Sequence, residues 1–209
     1  MGLFDSIKRQ AENLLKNEVA PAAKSAFNGT GAKQNATNAP APAKTTVITL
    51  SALPENADQM RAMPEFTLTD PFTVLAFSVA ALDRYSTDRE ASKEMLNVLK
   101  GPEPLTVREL QFINDRFMDG RDYVTRSYFG GTSPENDYTP SKPYTVKITE
   151  QFNSRENDGY IKLFLTSSGA DSIRPVTLRN KASTGEWFLW EFDGMLSSIR
   201  IPKSTDKWA

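Results

Sequence analysis

The chain of 209 residues contains no cysteine and no histidine. Without cysteine there are no disulfides, no thiolate nucleophile and no thiolate-bound zinc. Without histidine, Ser-His-Asp and Cys-His catalysis and the usual zinc and haem ligand sets are excluded as well. An enzyme built on this sequence would rely on carboxylates, Lys, Tyr, Ser/Thr or an oxygen-bound Mg²⁺ or Ca²⁺. Charge of one sign is also lacking: 25 basic against 26 acidic residues leave −1. A dense basic surface for gripping phosphate backbones is therefore not expected. No apolar run approaches the ~18–20 residues that span a bilayer. Asp5, Lys8, Arg9 and Glu12 interrupt any signal-peptide core. Met1-Gly2-Leu3-Phe4-Asp5-Ser6 fits the loose myristoylation pattern, which has meaning only in a cell with the transferase. A cytoplasmic protein is expected.

What is present suffices for one domain and an appendage, with 39% hydrophobic and 10% aromatic residues. Leu3, Phe4, Ile7, Ala11, Leu14, Leu15 and Val19 recur at helical spacing and predict an amphipathic helix within residues 1–27. Its polar face is nearly neutral. This favours a protein partner, self-association or the domain itself over a membrane, although peripheral membrane contact stays open. Leu3, Phe4, Ile7, Leu14 and Leu15 are the candidate partner-binding residues. Residues 28–45 carry no large apolar side chain and read as a flexible tether.

From residue 46 the pattern predicts an α+β domain. Thr46–Leu50 alternates like an edge strand, and a short helix follows near 55–62. Asp70 with Pro71 caps a helix that is apolar almost all round, the expected centre of the fold. Thr87-x-x-Glu90 and Thr106-x-x-Glu109 resemble capping boxes of two further helices, the second turning Val107, Leu110, Ile113 and Phe117 inward. Beyond the connector 126–144 the period becomes two. Four strands around Tyr144–Ile148, Tyr160–Thr166, Val176–Arg179 and Trp187–Phe192 predict a four-stranded antiparallel meander. In the last run, Phe188, Trp190 and Phe192 are expected on one face and Trp187 and Leu189 on the other.

Lys147, Lys162 and Arg179 with Tyr160 and Phe164 give the second sheet face a basic and aromatic character seen on single-strand nucleic-acid platforms. A half-solvated sheet face ordinarily carries such residues, and the RNA-reading motif is missing, so nucleic acid is not favoured. Asp115, Asp119 and Asp122 lack the spacing and closing Glu of an EF-hand; Asp115 and Asp119 fall on one helix face at i, i+4 with Arg116 and Arg121 as partners, and surface ion pairs are the reading. Asp171 and Arg174 are expected to pair across a turn. Neither a metal nor a cofactor is implied. The connector RSYFGGTSPENDYTPSKPY combines turn formers with Tyr128, Phe129, Tyr138 and Tyr144, and predicts an ordered segment pinned to the core.

The connector, then NDGYIKLFL, SSGADSIRPVTLR, EWFLWEF, LSSIR and DKWA together resemble a bacterial family known as a domain of unknown function. The resemblance spans residues 46–209. It implies a bacterial source and one compact domain, and brings no activity, cofactor or catalytic residue. The family pattern has Gly where Ser168 stands and Pro where Ile173 stands, a change of turn geometry alone. A non-enzymatic binding or interaction module is the favoured function. The alternative is a ligand-binding or hydrolytic pocket between helices and sheet. Its candidates are Glu135, Asp137, Tyr138 and Tyr144, with Arg126 and Arg174 as anion contacts.

Overall fold

A computed structural model describes residues 43–208. The predicted N-terminal helix, with Leu3, Phe4, Ile7, Leu14 and Leu15, and most of the tether lie outside the described residues. The first strand, β1 (Lys44–Leu50), begins two residues earlier than its alternation suggested.

Five helices come next. In α1 (Ala57–Ala62) the Asn56 side chain accepts from the N–H of Gln59. In α2 (Pro71–Arg84) Asp70 accepts from the N–H groups of Phe72 and Thr73, as a cap with Pro at the first turn should. Every residue from Val74 to Leu82 is buried, so α2 is the central rod of the core. The cap of α3 (Arg89–Lys100) is Asp88, whose carboxylate accepts from the N–H of Ala91, and not Thr87 as expected. Thr87 is already engaged at the end of α2, donating its N–H and hydroxyl to the Arg84 carbonyl. The Thr106–Glu109 capping box of α4 (Val107–Arg116) forms as predicted. Ile113 is buried on α4, but Val107 at its first turn is 82% exposed, contrary to expectation. Asp119 lies beyond α4 with φ +58°, so it does not share a helix face with Asp115. The single turn α5 (Tyr123–Arg126) leads into the connector.

The sheet adds β2 (Tyr144–Glu150), β3 (Tyr160–Leu165), β4 (Arg174–Lys181) and β5 (Glu186–Glu191) to β1. It is antiparallel throughout, in the order β1-β2-β3-β4-β5. The meander of four is thus completed by β1 to five. Leu50, Val146, Ile148, Ile161, Leu163, Leu165, Val176, Leu178 and Leu189 pack on one face with α2 in a single core. The opposite face carries Lys147, Tyr160, Lys162 and Arg179 toward solvent.

The connector is part of that core. Tyr128, Phe129 and Tyr138 are buried, and Tyr144 is half-buried. The Tyr128 hydroxyl donates to the Met195 carbonyl at 2.8 Å and that of Tyr138 to the Arg200 carbonyl at 2.7 Å. Gly130 N–H donates to the Thr145 carbonyl, and Phe129 bridges Val146, so the connector occupies the side of β2 that β3 leaves open. A hydroxyl network ties it to the β3–β4 turn: Ser167 donates to Ser127 Oγ, Ser168 to the Ser127 carbonyl, and Thr132 and Ser168 share a hydrogen bond.

Candidate functional site

The feature that shapes the outer sheet face is a break in the β4–β5 ladder. Leu178 pairs with Leu189, yet Thr177 pairs with Glu191, which leaves Trp190 as the extra residue of a bulge. Bulges re-aim side chains and accentuate twist. Alternation already sets Trp190 with Phe188 on the outer side; the bulge instead turns Phe192, displaced by one position, into the core at 1% exposure. The sequence expectation for Phe192 fails for that reason, since a period of two cannot register an inserted residue.

Trp190 meets Tyr160 edge-on at 6.0 Å. The Arg179 guanidinium lies 4.7 Å from the Trp190 ring and 5.7 Å from that of Tyr160, and donates to Glu103 at 3.1 Å. Three hollows meet at this tryptophan. One of about 670 Å³ runs between it and α4, bordered by Lys100, Glu109, Phe112, Lys162 and Thr177. A second of about 610 Å³ extends past Tyr160 and Lys162 to the β2–β3 loop at Asn153–Asp158. A third of about 220 Å³ lies toward Arg179, Lys181 and Phe188. Together they form a trough across β3, β4 and β5, walled by the α3–α4 corner on one side and the β2–β3 loop on the other.

The α3–α4 wall is held by Gly101 and Lys100. Gly101 adopts φ +60° and ψ −120°, and a Cβ there would enter the Phe188 ring, so glycine lets the corner close onto β5. Lys100 is 6% exposed and donates to Glu109 at 2.6 Å, with its ammonium 5.6 Å from the Phe192 ring. The second Glu109 oxygen accepts from the N–H and hydroxyl of Thr106. Burial pushes the Glu109 carboxyl up, but the Lys100 and Thr106 donors outweigh it and hold it below the usual value. A general acid in this wall would need the opposite shift. Glu191 accepts from the Thr177 hydroxyl at 3.0 Å.

Cations and carboxylates are nearly balanced along the trough, and they are sorted. Lys100, Arg179 and Lys181 outnumber Glu103 at the end near Phe188, whereas Glu156, Asp158 and Glu191 outnumber Lys162 at the end at the β2–β3 loop. A nucleic-acid backbone finds no continuous basic track there. Among the described residues, no group of three or more carboxylates could hold a metal ion.

The six residues singled out from the sequence lie elsewhere. Arg126 pairs with Asp122 at 2.7 Å and approaches Asp83 at 3.8 Å. Burial raises the Asp83 carboxyl, opposed by Arg126 and the Thr125 hydroxyl, and the group ties α2 to α5. Tyr138 is a core residue; burial pushes its phenol up to about 12. Tyr144 packs against Phe129 at 6.0 Å. Asp137 accepts from the Ser204 hydroxyl at 2.7 Å. Arg174 donates to Ser172 and to the Ser198 carbonyl, and Asp171 pairs with Arg200, so the expected Asp171–Arg174 pair is not formed. Glu135 borders a separate hollow of about 600 Å³ with Arg200 and Lys203. Its carboxyl is held low by its own N–H, the Ser133 hydroxyl and these cations. Tyr160, Lys162 and Arg179 were legible as an outer-face set. Trp190, Lys100 and Glu109 were not, although the two-faced apolar run WFLWEF signalled a tryptophan left on the outer face.

Among the described residues, no helix is long and apolar enough to cross a membrane. No curated protein and no solved structure matches the chain. The family model of a domain of unknown function, DUF6935, matches residues 52–203, and the chain belongs to that family.

Proposed function

We propose that this domain is a non-enzymatic binding module of the bacterial cytoplasm, and that the trough around Trp190 receives an extended peptide segment of mixed charge. The observation that carries the reading is Trp190 itself, the extra residue of the bulge, set on the outer face against Arg179 and Tyr160. Tryptophan, tyrosine and arginine are the side chains on which binding energy concentrates. The sorted charges of the trough match a ligand with acidic groups toward Arg179 and Lys181 and basic groups toward Glu156 and Asp158. Phe152 at 66% exposure and Val107 at 82% adjoin the two walls, which suits a macromolecular surface better than a metabolite. In the same reading the N-terminal residues 1–27 supply a second contact, through Leu3, Phe4, Ile7, Leu14 and Leu15, with a protein partner or a second copy.

The test is selection of a random displayed peptide library on the full chain, followed by titration of the recovered peptides against wild type and Trp190→Ala. Recovered peptides of the stated charge order, with affinity falling ~30-fold or more in Trp190→Ala, are expected. Peptides that bind both proteins equally would overturn the site. Tight binding of single-stranded homopolymers, abolished by charge reversal of Lys147, Lys162 and Arg179, would replace the peptide with nucleic acid.

A further inference from the structure

The two edges of the sheet are treated differently. β5 is guarded, because Trp187 N–H donates to the Leu68 carbonyl and Glu186 and Glu191 stand at its ends. β1 has the sequence KTTVITL, with one charge at its first residue, no proline and no bulge against β2. Natural sheets usually blunt such an edge with charge, proline or a bulge.

The direction of the main-chain groups on β1 follows from its neighbours. The Thr145 carbonyl accepts from Gly130 and the Lys147 carbonyl from Thr166, so both residues direct their main chain away from β1. Their partners across the ladder are Thr49 and Val47. These are non-hydrogen-bonded pairs, in which both residues point their N–H and C=O groups outward from the pair. By the same alternation Thr45, opposite Thr149, also points outward. All three residues are exposed, Val47 at 57%, and among the described residues no main-chain group bonds to them from the open side.

We infer that β1 pairs with β1 of a second copy of this chain, antiparallel about a two-fold axis at Val47, joining two five-stranded sheets into one of ten. The register is self-complementary. With Val47 on the axis, Thr45 of each copy meets Thr49 of the other, and every outward N–H finds an outward C=O. Val47 meets its own symmetry mate and threonine meets threonine, both favourable cross-strand pairs. Lys44 falls opposite Leu50, so no like charges meet. A β-strand of an unrelated protein would supply hydrogen bonds but not this register, which the sequence of β1 matches to itself.

Sedimentation equilibrium of the full chain tests the inference with two variants. Val47→Pro removes an N–H that faces away from β2, so β1 stays paired to β2 while the axis loses its bonds. Val47→Glu faces Lys147 within one copy but sets two carboxylates against each other across the axis. Wild type is expected at the mass of two chains at about 100 µM, with both variants at the mass of one and an unchanged far-ultraviolet spectrum. Amide exchange of Thr45, Val47 and Thr49 slows by about tenfold or more on raising wild-type concentration, while Thr46 and Ile48 do not respond. A single-chain mass for wild type, or a two-chain mass that survives in whichever variants fold, overturns the pairing. So does a dimer in which those three amides stay unprotected.

Discussion

Replacing Gly101 with alanine makes two demands at the corner that closes on β5. The first is conformational: φ +60° with ψ −120° is a region that side chains with a Cβ rarely enter, costing about 1–3 kcal/mol. The second is steric, because the new methyl enters the Phe188 ring and forces that ring to shift. Overpacking of this kind costs about 1–3 kcal/mol more. Together they come to roughly 2–6 kcal/mol, which for a chain of this size lowers Tm by roughly 4–24 °C. Gly185→Ala is the matched control, since its φ is +72° and nothing lies within 4 Å of the added Cβ. It feels the conformational part alone, about 1–2 kcal/mol. Urea denaturation followed by tryptophan fluorescence measures both. Phe188→Ala separates the parts further. Alone it removes a buried ring, at about 3–5 kcal/mol, but in the Gly101→Ala background it relieves the collision and costs about 1–3 kcal/mol less. If Gly101→Ala were no worse than Gly185→Ala, or the two sites added independently, the corner would not be built on this contact.

Two other perturbations follow from buried ionisable groups. Burial raises the phenols of Tyr128 and Tyr138, the second to about 12, so the fold prefers them neutral. That stability is intact below pH 10 and is lost as pH rises toward 12, at up to ~1.4 kcal/mol per unit for each phenol; Tyr138→Phe should flatten its share of the slope in urea denaturation at stepped pH. Lys100→Ala strands the Glu109 carboxylate and should cost roughly 3 kcal/mol, at the low end for such pairs because the Glu109 side chain stays 21% exposed. Glu109 sits below its ordinary value of 4.5, so wild type loses stability as pH falls through that region, and the acid limb should be shallower in Lys100→Ala.

Elements with local causes were legible in the sequence. Asp70-Pro71, Thr106-x-x-Glu109 and the alternation of β2 to β4 each act over a few residues, and the structure repeats them. The connector was legible as ordered because buried aromatics leave a compositional trace. The misreadings have distant causes. Thr87 failed as a cap because the end of α2 had already engaged it. Asp171 found Arg200 and not Arg174 because a segment 29 residues further on folds back over the turn. The trough was half legible: alternation placed Tyr160, Lys162 and Arg179 together and Trp190 with Phe188, but nothing local showed that the two sets meet. Gly101, Lys100 and Glu109 come to the trough by tertiary packing and leave no mark on local periodicity.

The connector has a consequence for how the domain is made. Three of its side chains bond far along the sequence: Tyr128 reaches Met195, Tyr138 reaches Arg200, and Asp137 reaches Ser204. On a ribosome extending the chain at ~5–20 residues per second, the helices and the first strands emerge seconds before those partners exist. Until residues 195 and 200 are free, Tyr128 and Tyr138 have no acceptor, and the edge of β2 that the connector closes is held by its short-range bonds alone. The nascent domain therefore passes through an interval in which its sheet is built and its clasp is open, and the arrival of residues 195–204 ends it.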